Sequence, residues 1–256
     1  MHVLGALNFP PIGELVDWKK FGPLGFNKTT LIYLLATLIP LALFFAAARK
    51  RALVPTGVQN LVESIVDFIV DGIVLQTIGP DGMGFMPFLI CLFTFIFFCN
   101  VFEIIPFIQF PATARMASPL FLAVIVWITF MYMGVKKQGF RGYMRSTLFP
   151  PGVPKALYLL VTPIEFLSTF LVRPFSLAVR LFANMLAGHL LLVTFALLTD
   201  ALLFHNTITI LKPLFVLPAG MGIAIMGFEL LVAVLQAFIF TILTAVYIGG
   251  AMHPEH

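Results

Sequence analysis

The chain has 256 residues, 61% of them hydrophobic and 10% charged, with a mean hydropathy of +1.06. Globular domains are roughly 45–50% apolar and about 25% charged, so a water-soluble fold is excluded, and most of the 29 phenylalanines must meet lipid or pack inside a membrane bundle. Fifteen Lys and Arg against eleven acids leave a net charge of only +4, in short clusters beside apolar runs, which excludes a nucleic-acid surface.

Residues 1–28 mix Pro10, Pro11, Glu14, Asp17, Lys19 and Lys20 with apolar positions. They read as an extramembrane segment without a cleaved signal peptide. Residues 29–48 form the first span, stopped by Arg49, Lys50 and Arg51, which by the positive-inside rule hold this end in the cytoplasm. Across 57–79 the pattern changes: Glu63, Asp67 and Asp71 share one helical face, with Leu61, Ile65, Phe68, Ile69 and Ile73 gathered on the other. That is an interfacial amphipathic helix, its acids solvated. The glycine-rich stretch from Gly79 to Phe85 reads as a turn rather than a phosphate loop.

A transmembrane hairpin is expected over 85–135, with spans at 85–105 and 117–135 joined by a proline-containing turn that carries Arg115. Cys91 and Cys99 fall within its first span and read as small core residues, too far apart along a helix to be bridged. Lys136, Lys137, Arg141, Arg145 and Lys155 come next without an acid among them, which places this end in the cytoplasm as well. Two very long apolar segments close the chain, at 156–203 and 214–250. A single helix over 174–204 is about 45 Å long against about 30 Å of hydrocarbon, so both segments must tilt steeply, bend, or project into the headgroups. No internal repeat is visible. The expectation is an all-α integral membrane protein forming one membrane domain over 29–256: about five transmembrane helices plus one interfacial amphipathic helix, the last two spans long, steeply tilted and side by side.

Glu165, Arg173, Arg180, His189 and Glu229 interrupt these last segments, where an ionisable group is costly unless paired or hydrated. Arg180 stays charged at any physiological pH and cannot relay protons, so it acts as a fixed positive charge. Its stripe continues through Ala183, Asn184, Ala187 and Leu191, small enough for another helix to come close, and His189 belongs to the opposite face. Glu229, Ala233, Gln236, Phe240, Leu243 and Tyr247 share a second stripe; Glu229 could hold water and exchange protons there, with His189 its partner across a helix pair. Gly220, Ala224 and Gly227 add a close-packing edge. Structural readings stand beside these: an Arg180 paired with a carboxylate, a satisfied core His189, a structural Glu229. Arg173 and Glu165 could share a hydrated pocket, and Glu103 with Asn100 ends a span as an interfacial anchor or an aqueous funnel.

The run from Arg173 to His189, RPFSLAVRLFANMLAGH, and the run from Glu229 to Tyr247, ELLVAVLQAFIFTILTAVY, closely resemble subunit a of the F-type ATP synthase. The likeness extends to the amphipathic segment, the Asn100 hairpin and the short tail. It implies that Arg180 is the essential stator arginine, that Asn184 and Gln236 line its surroundings, and that His189, Glu229 and Tyr247 belong to the proton path, with Glu165, Glu103 and Asn100 as further candidates. Some members exchange His189 and Glu229, which implies that the two are close in space. The implied partners are the ring of subunit c, the peripheral-stalk subunit b, the other FoF1 subunits and the lipid bilayer, with no nucleic acid. No cofactor and no metal are expected, nucleotide chemistry belongs to other subunits, and a bacterial plasma membrane is favoured over an organellar inner membrane. The competing readings are a secondary ion transporter, which would also need intramembrane charges, and an intramembrane enzyme, for which no H-E-x-x-H or G-x-S-x-G motif is present.

Overall fold

Without water to satisfy the backbone, an apolar chain crosses lipid as helix, whose hydrogen bonds are internal. The computed structural model describes residues 27–49, 52–105, 112–149, 154, 157–204 and 209–252, and these form helices and turns without a strand. The expected extramembrane segment lies outside the described residues up to position 26. Among the described residues, five helical stretches are long and apolar enough to cross a membrane: Lys28–Arg49, Pro80–Ile104, Ala117–Leu148, Tyr158–Leu203 and Lys212–Met252. The protein is an all-α, multi-pass membrane protein.

Helix α1 (Lys28–Arg49) buries the single line Ile32, Ala36 and Pro40 and turns Leu31, Leu34, Leu38, Leu41 and Phe45 outward. Its other faces are left for lipid or protein partners. Helix α2 (Val58–Ile69) continues through a π-helical turn at Val70–Val74 and a last α turn, Leu75–Thr77. Glu63, Asp67 and Asp71 are exposed, and Ile69, Ile73 and Val74 are fully buried. Leu61 and Phe68 do not join that core. They occupy the flank between the acidic and buried faces, where acyl chains meet an interfacial helix, and the Phe68 ring reaches inward to Phe93 and Phe238. The stretch expected as a turn closes into a 3₁₀ helix, Pro80–Phe85, entered through Gly79 at a φ of 83°.

Helix α3 (Met86–Ile104) buries Cys99 but leaves Cys91 exposed. The expectation that both are core residues is corrected: eight positions is not a whole number of turns, and the two thiols leave the helix on different sides. Helix α4 (Ala117–Leu148) runs beyond the expected end at 135. Gly139, at φ 74° and ψ 159°, breaks it and folds the rest back, so that the Tyr143 ring lies on Gly134 where any Cβ would collide. The Tyr143 hydroxyl reaches Met131 Sδ at 3.4 Å.

Helix α5 (Tyr158–Leu167) passes through a π turn, Ser168–Val172, into α6 (Arg173–Leu203). After a 3₁₀ turn at Thr209–Phe215 the chain enters α7 (Val216–Met252). At 31 and 37 residues, α6 and α7 are about 46 and 55 Å long. They run antiparallel in a register set by Phe195 on Gly222, Glu229 on Gly188, and Arg173 over Tyr247. That register puts Arg180 level with the turn holding Gln236 and Phe240. Small residues Ala178, Ala237 and Ala245 fill the contacts with α3 and α4 and let the backbones approach. The far end of α7 is tied down by Gln138 Nε2, which donates to Ala251 O at 2.8 Å, and by Gly249, where a Cβ would stand 2.8 Å from Thr77 O.

The φ and ψ of Gly139 belong to a region essentially closed to other residues. Gly139→Ala is expected to cost about 1–3 kcal/mol and to loosen residues 140–149. Faster cleavage of that segment in limited proteolysis of the membrane-embedded protein, with Gly142→Ala unchanged, is the check.

Candidate functional site

Three helices each bring one ionisable group to a shared buried point, where a charge without a partner is expensive. Glu103 from α3 is 1% exposed, His189 from α6 7%, and Glu229 from α7 6%. His189 Nδ1 stands 3.2 Å from Glu103 Oε1, an ion-pair separation whose orientation falls short of a hydrogen bond. Neither Glu103 oxygen has a hydrogen-bond partner among the described residues. The Glu229 carboxyl lies against Gly188, the residue before His189, in space that any Cβ there would occupy, and within electrostatic reach of Glu103. Two carboxyls therefore share one imidazole, and two protons beyond the neutral imidazole's own must reside among the three groups for the cluster to avoid net negative charge.

Asn100 sits one turn before Glu103 and is also buried. Its Oδ1 accepts a hydrogen bond from the Thr113 hydroxyl at 3.0 Å, and nearby Tyr33 donates to Ala112 O at 2.6 Å. Polar groups thus continue from the cluster to the end of the bundle where α3 gives way to α4. On its other side the cluster borders a cavity of about 430 Å³, lined by Asn184, Ala187, Gly188, Glu229, Val232 and Gln236.

Arg180 lies apart from this cluster. It is exposed on a face formed by Ala183, Ala187 and Leu191 of α6 and by Gly220, Ala224, Gly227, Leu231 and Leu235 of α7, all exposed as well. Among the described residues it has no ion pair. The alternative of a structural arginine paired with a carboxylate finds no such pair among the described residues. Nine residues separate Arg180 from His189, which puts them on opposite sides of α6, one outward and one inward.

At the opposite end Arg173 stacks its guanidinium 5.4 Å from the centre of the Tyr247 ring, and Tyr247 packs against Phe130 at 5.8 Å. Glu165 is only partly buried and makes no ion pair with Arg173 among the described residues. The two do not meet, because eight residues of helix set them about 12 Å apart along the axis. Sequence reasoning did not single out Gly188 or Thr113. The Gly188 signal was present in the small pair Ala187-Gly188 beside His189; Thr113 fits no periodic pattern and is found only through its bond to Asn100.

A family model described as ATP synthase A chain matches residues 30–249. The chain belongs to this family. It is 46% identical to ATP synthase subunit a of Frankia alni over 235 residues, which covers 90% of this chain and 79% of that one. Against the subunit of the same name from Rhodococcus erythropolis identity is 43%, covering 91% and 85% of the two chains. For Nocardioides sp. it is 41%, covering 97% and 91%. The chain is thus a multi-pass bacterial membrane protein of the ATP synthase A chain family.

Gly188→Ala would drive the Glu229 carboxyl from its place. Overpacking of this kind costs about 1–3 kcal/mol, whereas Gly250, with open space where its Cβ would stand and away from the Arg180 face, should accept Ala freely. Thermal melting of the assembled complex is expected to fall for the first variant and not the second.

Proposed function

We propose that this chain is the stator of the membrane rotor in an FoF1 ATP synthase, where it supplies two proton half-channels beside a ring of subunit c and couples proton flow to rotation. The observation that carries the reading is the exposed Arg180, unpaired among the described residues, on a face of small and apolar side chains. A permanent cation in that position calls for an acidic partner from outside the chain, and a ring presenting one carboxyl per subunit supplies a succession of them. At about 4 Å and an effective dielectric near 20, the attraction is roughly 4 kcal/mol. That is enough to hold a facing carboxyl ionised, so that it gives up its proton on arrival and takes another on leaving.

The buried groups then divide into two routes. Asn100, Glu103, His189 and Glu229 form the outer half-channel, which opens through the cavity lined by Asn184 and Gln236 toward the ring. Glu103 and His189 hand a proton to Glu229, which stands closest to that cavity. Tyr247, with Arg173 over its ring, and Glu165 belong to the inner route on the cytoplasmic side. Arg180 lies between the two levels, and its charge repels a proton that would pass directly from one to the other. The membrane potential, worth about 2.3 kcal/mol per charge per 100 mV, gives the motion its direction. Subunit b and the remaining FoF1 subunits hold the chain still; nucleotide chemistry takes place on those other subunits.

Arg180→Gln is expected to abolish ATP-driven proton pumping in inverted membrane vesicles while the complex still assembles. Retained coupled pumping would sink the fixed-charge role. Pumping by the purified chain alone, without a ring, would favour a secondary transporter instead.

Exchanging His189 and Glu229 in one variant places a glutamate beside Glu103 and moves the imidazole to α7. The exchange keeps the charge count, so it is expected to restore more pumping than either single change but less than the natural pair. A double variant no better than the singles would argue that protons do not pass between these two positions.

A further inference from the structure

The usual acceptor for a threonine hydroxyl inside these helices is the carbonyl four residues back. Thr94, Thr129, Thr199, Thr241 and Thr244 each donate to it at 2.7–2.8 Å. Thr169, in the π turn Ser168–Val172, does not. It is 1% exposed, and its Oγ1 has no hydrogen-bond partner among the described residues. The carbonyl it would use, Glu165 O, already accepts Ser168 N–H. Across the seam the indole Nε1 of Trp127 on α4 is also buried and unpartnered among the described residues, and its ring meets Phe170, the neighbour of Thr169, at 6.4 Å. One orphaned polar group thus belongs to the ring that touches Phe170 and the other to the residue beside Phe170, in an interior where a group left unsatisfied is costly.

We propose that the seam between α4 and the π turn is a binding site for one ordered water molecule, held by Trp127 Nε1 and Thr169 Oγ1, which keeps the π turn open and so positions Arg180. The water accepts from the indole N–H and donates to the threonine oxygen; its remaining proton and the threonine hydroxyl are free for carbonyls of the widened turn. Such a water needs two to four polar partners, which this seam supplies.

The consequence reaches Arg180 through geometry. A π turn adds one residue to the helical count, and each residue rotates the rest of the helix by about 100°. With the turn in place, Leu177, Ala178 and Leu181 face the core and Arg180 faces outward. If the turn relaxed to ordinary α-helix, α6 would be under torsion to carry the arginine off its face. Thr169 and Trp127 are therefore positioning residues. The link to pumping rests on the stator function proposed for this chain, but the water site itself does not.

Two measurements on the assembled complex separate these. A high-resolution map should contain a solvent peak within hydrogen-bond distance of both Thr169 Oγ1 and Trp127 Nε1; direct contact between the side chains, or a dry seam, would overturn the proposal. In inverted vesicles, with pumping normalised to assembled complex, Thr169→Val and Trp127→Phe should each lower ATP-driven proton pumping several-fold, because each strands the water with too few partners. The double variant should lose no more than the worse single, since an apolar seam releases the water, and Thr169→Ser should keep near-normal pumping. Singles without effect, or losses that multiply in the double, would refute the positioning role. A solvent peak with an intact π turn, found alongside an Arg180→Gln variant that still pumps, would overturn the stator reading and leave the water site standing.

Discussion

The arrangement depends on the expense of an ion in a medium that cannot solvate it. In hydrocarbon a charged side chain must be paired, hydrated or functional, and this chain uses each option in a different place. Glu103, His189 and Glu229 are drawn together from three helices at one buried point. Arg173 lays its cation on an aromatic face, and Lys137 meets Asp81 at 3.3 Å where the chain leaves the lipid. Arg180 is turned outward, with no ion-pair partner among the described residues of its own chain. On the function proposed for this chain, its partner comes from outside.

Packing serves that separation. Arg180 and the acid–histidine cluster sit on opposite sides of α6, so the helix itself insulates the fixed cation from the titratable groups. Glycine and alanine decide how close the other walls come: Gly188 yields its side-chain volume to the Glu229 carboxyl, and Gly249 lets α7 touch the last turn of α2 at Thr77 O. In each case the small residue matters for what it leaves room for. The cavity bordered by Asn184 and Gln236 lies between Glu229 of the buried cluster and Ala187, Leu191 and Leu235 of the exposed face.

The two π turns serve a related purpose. A regular helix as long as α5 and α6 together would fix the facing of every side chain from its first residue. One inserted residue resets that facing, so the segment before Ser168 can satisfy one set of neighbours and the segment after Val172 another. The cost appears locally as polar groups that lose their usual helical partners, Thr169 among them.

Most of the architecture was legible in the sequence, because lipid leaves a chain few choices. Runs of about twenty apolar residues had to be spanning helices, the acids at Glu63, Asp67 and Asp71 had to mark a wetted face, and Arg180 and His189, nine residues apart, had to point opposite ways. Helical periodicity and the cost of burying charge dictate all three, and both are local properties. The joining of α3 to α6 and α7 is not local. That His189 meets Glu103, that Glu229 reaches the cluster through Gly188, and that α4 doubles back at Gly139 all depend on helix register and on the backbone at single residues. A sequence read one segment at a time tells which way each side chain points on its own helix; only the packing of helices against each other decides what it points at.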